Sequence, residues 1–200
     1  MEYAELRDEV FALFAERLDP ECWCYHSTVH TAFVLEDVLT FGRRAGVAAE
    51  NLELLRIAAL FHDTGFIFDP ENHEAASAAF ARERLSVAGM PAARVAQVER
   101  LILATRVPTA PADLLEAVIC DADIGQMATG CFLWLGARLR RELARNGMVF
   151  DEPQWYEFEL NFYRTFHFHS DAARAMRQEG WERNREFYRR ASAQFGRGCE

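Results

Sequence analysis

Two side chains near the middle of the chain could do chemistry together: His62 and Asp63, in Leu60-Phe61-His62-Asp63-Thr64-Gly65. They follow an apolar run from Leu52 to Leu60, which reads as a helix and delivers an imidazole and a carboxylate to the edge of a core. Burying that pair is expensive unless the two groups satisfy one another or hold a cation. Matching donors lie elsewhere. Tyr25-His26-Ser27-Thr28-Val29-His30 sets two histidines four apart, the spacing of one helical face. Such a pair can share a metal, or one ring can ligate while the other reaches a substrate. Val118-Ile119-Cys120-Asp121-Ala122-Asp123-Ile124 ends an apolar run in two carboxylates. His30, His62, Asp63 and a late Asp make a mixed nitrogen and oxygen donor set. Imidazole with carboxylate suits Mn, Fe, Ni, Co or Zn, and Mg less well. Open coordination positions would take water and a substrate oxygen.

The elements that must position these residues are helices. Residues 2–18 carry an apolar stripe (Val10, Phe11, Leu13, Phe14, Leu18), broken by Asp19-Pro20. A second helix is expected from about Tyr25 to Arg44, ending near Gly46. The third is the His-Asp helix, which Thr64-Gly65 stops, with Gly supplying a left-handed cap. The aromatic loop 66–72 follows. A fourth helix starts near His73 and ends at Gly89-Met90-Pro91. A fifth covers 92–105, with Val95, Val98, Leu101, Ile102 and Leu103 inward, and a sixth covers 112–120. Beyond Gly125 and Gly130, a helix over about 132–146 is capped by Gly147. Asp151-Glu152-Pro153 is a strong helix start, acidic with Pro in the first turn. Residues 154–195 read as helical and aromatic, broken around His169-Ser170-Asp171, where Ser170 or Asp171 can cap. Alternating strand patterns are essentially absent, so the fold class is all-α in a single domain.

Composition removes several classes of function. Two hundred residues suffice for one full core. The formal charge of -9 leaves no broad basic surface for nucleic acid or anionic lipid. There is no Lys, which excludes Schiff-base and Lys-nucleophile chemistry. No signal peptide and no membrane-spanning apolar run are visible, so a cytoplasmic protein is expected. Cys22, Cys24, Cys120, Cys131 and Cys199 are odd in number and irregularly spaced, which suits reduced thiols.

The order His, His-Asp, distant Asp, all on helices, resembles the HD-domain superfamily of metal-dependent phosphohydrolases. Tyr25-His26-Ser27-Thr28-Val29-His30 is similar to the Tyr-His-Asn-x-x-His signature of cyclic-nucleotide phosphodiesterases, where the second His ligates and the first protonates the leaving group. His-Asp-Thr-Gly, Asn72-His73-Glu74, Ala104-Thr105 and Cys120-Asp121-Ala122-Asp123 together resemble a group of small bacterial HD phosphohydrolases. The resemblance covers roughly 22–190. It implies an HD-like helical bundle (core about 22–130) with a helical C-terminal extension (about 131–195). It further implies His30, His62, Asp63 and Asp123 as ligands, with Asp121 a hydrogen-bond partner to a ligating His, since residues two apart on a helix diverge.

The implied reaction is hydrolysis of a phosphate ester, of a nucleotide or small phosphomonoester, by a metal-activated water. The cation would lower the water's pKa from about 15.7 towards about 7 and clamp a phosphoryl oxygen. Glu74 or Asp63 would take the water's proton and His26 would protonate the leaving oxygen. His73-Glu74 also reads simply as the first turn of a helix, where a carboxylate is favoured. In the catalytic reading His73 is a second-metal ligand or phosphate contact. Only His73 lies between His-Asp and the last Asp, and Phe66 stands where signalling phosphodiesterases of the superfamily carry Lys, which favours one firm metal site. Arg106 is the arginine best placed for phosphate. His167 and His169 read as core or pocket wall, and the aromatic tail as core, pocket wall or homodimer face. The expected partner is a small phosphorylated substrate, with neither nucleic acid nor membrane. The alternatives are a di-iron oxygenase of HD type, which needs further His ligands, and a non-catalytic module that keeps the metal site.

Overall fold

The computed structural model describes residues 3–195, and Cys199 lies outside the described residues. Among these residues the secondary structure is helical, with no strand. The helices are α1 (Tyr3–Arg17), α2 (Thr28–Arg44), α3 (Ala49–Phe61), α4 (His73–Val87), α5 (Ala92–Ala104), α6 (Leu114–Gly125), α7 (Phe132–Arg145), α8 (Glu152–Thr165) and α9 (Asp171–Phe195). Short 3-10 turns occupy Thr64–Ile67, Pro70–Asn72 and Gln126–Ala128.

Local signals set most boundaries. Asp113 accepts from the amide of Glu116 at the start of α6. Asp151 and Gln154 close a reciprocal capping box around Glu152-Pro153, which fixes the start of α8. Ser170 accepts from Ala173 N at the start of α9. Three expectations change. Helix α2 begins at Thr28, with Ser27 extended at its N-cap (φ -149°, ψ 174°), so His26 precedes the helix and shares no helical face with His30. Gly65 does not take a left-handed conformation, which occurs instead at glycines such as Gly46 (φ 75°) and Gly89 (φ 80°). Leu103, expected inward, is exposed, because α5 turns only Val95, Val98, Leu101 and Ile102 towards its neighbours.

Helix α3 sits at the centre, packed against α2, α5, α6 and α4, and its last turns (Leu55, Ala58, Ala59, Leu60, Phe61) are fully buried. Helices α4 and α5 pair on one side of it. On the other side α8 and α9 pair, and α9 runs over the 3-10 turn 126–128. Three polar contacts fix this C-terminal region to the turn. Tyr163 Oη donates to Met127 O (2.7 Å), and Asn184 Nδ2 donates to Met127 O (2.8 Å) and to Thr129 O (3.0 Å). A further tie is the ion pair Arg177–Asp37 at 2.6 Å, with Asp37 buried on α2. Removing either partner would leave a charge uncompensated inside the protein. No helix among the described residues is long and apolar enough to cross a membrane.

Glu159 on α8 is buried beside Gly136 of α7 and bonded to the Tyr188 hydroxyl of α9, while its Oε1 has no hydrogen-bond partner. Burial pushes its carboxyl up to about 8, against a smaller opposing effect of the Tyr188 bond. Between the ordinary carboxylate range and pH 8 the folded chain therefore keeps a proton that the unfolded chain has released. The stability contributed by this protonation is full in acid and is lost as pH rises towards 8, at up to about 1.4 kcal/mol per pH unit. Glu159→Gln is expected to flatten that decline, read by urea unfolding from pH 5 to 9. A wild-type curve that matches the variant's at every pH would show that Glu159 ionises normally.

Candidate metal centre

Three helices deliver four side chains to one point. Helix α3 ends at Phe61, so His62 and Asp63 leave the last turn at a bend where both can face the same direction. The 3-10 turn Thr64–Ile67 holds the bend: Thr64 Oγ1 donates to Phe61 O (2.8 Å) and Gly65 N donates to Ser77 Oγ of α4 (2.7 Å). A Cβ on Gly65 would overlap the carbonyl of His73, so glycine is required here by close approach. His30 comes from the first turn of α2 and Asp123 from the last turns of α6.

The four meet. His30 Nε2 and His62 Nε2 are 3.1 Å apart. Asp63 Oδ2 lies 3.3 Å from the first and 3.2 Å from the second, and Asp123 Oδ1 lies 3.0 and 3.5 Å from them. His30, His62 and Asp63 are buried, and Asp123 is partly exposed, which puts the solvent side of the cluster at Asp123. Burial alone would push both imidazoles down, but the two carboxylates outweigh it: His30 rises to about 9 and His62 rises well above its ordinary value. Burial would raise the carboxyls, yet the facing imidazoles hold Asp63 well below the carboxylate range and lower Asp123 as well. Positive charge is wanted at this point.

These residues fit a divalent cation. Asp63 Oδ2 is buried with no hydrogen-bond partner, an orphan that a cation would satisfy. His62 Nδ1 is 2.8 Å from Ala59 O, so it carries the ring proton and leaves the Nε2 lone pair facing the cluster. Among the described residues, His30, His62 and Asp123 each bring a donor atom within 4.8 Å of the other two. Imidazole and carboxylate donors together suit a divalent cation.

His26 stands beside the cluster, its ring edge-on to that of His30 at 5.9 Å. It is held from outside the helical core: Glu142 of α7, buried, accepts from Tyr25 N (2.7 Å), from His26 N (3.0 Å) and from His26 Nδ1. That carboxylate is the physical reason residues 25–27 turn away from α2. Phe66 stacks on His26 (4.3 Å) and on His73 (4.1 Å), so both imidazoles present a face to the phenyl ring. Glu74 is buried at the first turn of α4 with Oε1 3.6 Å from His73 Nε2. Among the described residues neither His73 nor Glu74 is hydrogen-bonded to the cluster.

Asp121 is placed differently from the expectation that it supports a ligating His. It points away from Asp123, as a spacing of two on a helix requires. There it accepts from His169 N (2.6 Å) and Ser170 N (2.8 Å) and holds the start of α9. His169 Nε2 meets Thr109 Oγ1 at 3.1 Å, and Arg106 is exposed just past the end of α5, at neither of which is a cluster residue involved. Two residues at the site escaped sequence reasoning. Glu142 carries no signal, being 116 residues from its partner His26. Gln126, fully buried and bonded to His30, did carry one: it lies three residues past Asp123, on the same helical face.

Residues 28–128 match a family model described as HD domain. Among solved structures, the chain is similar to a predicted HD superfamily hydrolase from an uncultured Thermotogales bacterium. That likeness has 22% identity, a TM-score of 0.62, and coverage of 98% of this chain and 99% of the other. It is also similar to Bacillus subtilis YpgQ, solved in complex with ADP, at 17% identity, a TM-score of 0.60, and coverage of 96% and 97%. No curated protein matches the chain.

The close approach at Gly65 makes a prediction. Gly65→Ala should cost about 1–3 kcal/mol of stability, because a backbone carbonyl cannot swing aside as a side chain can, and it should lower bound metal by displacing His62 and Asp63. Gly130→Ala, where a Cβ meets nothing within 4 Å, should do neither. Urea unfolding and elemental analysis would read both, and equal behaviour of the two variants would refute the packing argument.

Proposed function

The chain belongs to the HD-domain family, and from that premise we propose that it is a metal-dependent phosphohydrolase acting on a nucleotide or small phosphomonoester. The observation that carries this reading is the convergence of His30, His62, Asp63 and Asp123 with an unpartnered buried carboxylate oxygen among them. A divalent cation held by these four residues would supply Lewis acidity at a phosphoryl oxygen and would lower the pKa of a water so that it can be deprotonated near neutral pH.

The protein's own residues do the rest. The Nδ1 side of His26 is bound to Glu142, which leaves Nε2 as the nitrogen that gives a proton to the leaving oxygen. The same carboxylate accepts from the Tyr25 and His26 backbone amides, and these bonds fix the ring's position. Glu74, at the start of α4, is the base for the attacking water. With His73 the only histidine between His62-Asp63 and Asp123, the donor set favours a site with one cation. The net charge of -9 favours a small substrate over a polymer of phosphates, and the ADP bound to YpgQ supports a nucleotide.

Elemental analysis of the purified protein should find near one divalent transition metal per chain. His62→Ala and Asp63→Ala should lose both the metal and phosphate release, screened over nucleotides and phosphomonoesters with Mn, Ni, Co and Mg. His26→Ala should keep the metal and lose about 10²–10⁴-fold in rate. Wild-type protein without metal, or undiminished hydrolysis in Asp63→Ala, would overturn the reading.

A further inference from the structure

Gln126 lies behind the cluster, fully buried where α6 passes into its 3-10 turn. Its Nε2 is 3.1 Å from the Tyr25 hydroxyl and in hydrogen-bond contact with His30 Nδ1, while its Oε1 is buried with no partner. The Tyr25 ring stacks on that of His30 at 5.2 Å and 28°. Ring, hydroxyl and amide thus surround the face and the outer nitrogen of one ligand. The two ends of the amide are not equivalent for His30. An N–H directed at Nδ1 makes that nitrogen an acceptor, and the neutral ring then carries its proton on Nε2, the atom that faces Asp63, His62 and Asp123. A nitrogen that bears a proton has no lone pair for a cation. Half a turn of the amide about its terminal bond brings Oε1 to Nδ1, where it accepts from Nδ1–H and from the Tyr25 hydroxyl. Only that arrangement leaves Nε2 free.

We propose that Gln126, backed by Tyr25, is the positioning residue for metal binding at His30: its amide oxygen holds the ring proton on Nδ1 and so gives Nε2 to the cation. The inference rests on the metal site of the reading above but not on the reaction catalysed there. A partner behind a ligating histidine typically contributes 10- to 100-fold in metal affinity.

The test is the affinity for Mn²⁺ alone, by electron paramagnetic resonance of the free ion, in wild type, Gln126→Met and Gln126→Glu. Circular dichroism beforehand would select a temperature at which all three are folded. Met fills the space without an acceptor, so its Kd should rise about 10- to 100-fold. Glu offers oxygen only, so its Kd should stay at or below that of wild type. A merely structural Gln126 would not separate the two variants in this order. Nitrogen-15 spectra of Zn²⁺-loaded wild type should place the His30 proton on Nδ1. Gln126→Met binding Mn²⁺ as tightly as wild type, Gln126→Glu binding as weakly as the Met variant, or a His30 proton found on Nε2 would each overturn the inference. A wild-type chain that takes up no Mn²⁺ overturns the metal site and this inference together. The expected order of affinities without phosphate release from any ester would support the inference and remove only the phosphohydrolase reading.

Discussion

Everything around the centre of this protein answers one electrostatic problem: two imidazoles and two carboxylates share a space that water scarcely reaches. Their mutual distances are those of hydrogen bonds, yet Asp63 Oδ2 has no such bond. The imidazole protons that would satisfy the carboxylates are the same ones a cation would displace, so the site holds charge in reserve for an ion. Three helices must end or begin within a few ångströms of this point, and the bundle is arranged to let them. The bend after Phe61 and the missing Cβ of Gly65 let the His-Asp pair meet α4, while Ser27 starts α2 one turn before His30.

The sequence carried much of this because burial forces polar residues to declare themselves. A His-Asp pair at the end of an apolar helix, a His after Tyr25-His26, and Asp123 at the end of Val118-Ile119-Cys120 are conspicuous since each sits where hydrocarbon belongs. Helical periodicity located the helices themselves. Caps located several ends, as at Asp151 and Ser170. The choice between Asp121 and Asp123 followed from helical geometry together with the family resemblance, and the structure faces Asp123 to the cluster and Asp121 to the start of α9.

What stayed hidden depends on distance along the chain. Nothing local to Tyr25-His26 reports that Glu142 will accept their amides, so local periodicity continues the helix through residues that this carboxylate holds outside it. The role of Gly65 is hidden for a related reason. Helix ends commonly use glycine for its left-handed backbone, whereas here the limit comes from His73, on another helix. Gln126 was legible in principle, by its spacing from Asp123, but an amide among aliphatic residues looks like any other helix end until its partner is known.

The tie between the C-terminal helices and residues 126–129 bears on how such a protein can be divided. The span shared with the HD-domain family stops at residue 128, in the middle of the segment that Tyr163 and Asn184 grip by its carbonyls. A fragment cut at the family boundary would keep all four cluster residues and lose the clamp behind Gln126, the Arg177 partner of Asp37 and the Glu142 partner of His26. The span that matches the family and the span that supports the site are therefore different lengths of chain. Grafting, shuffling or minimising this scaffold has to carry α7 to α9 along, and substitutions in those helices will be felt at a centre to which they contribute no ligand.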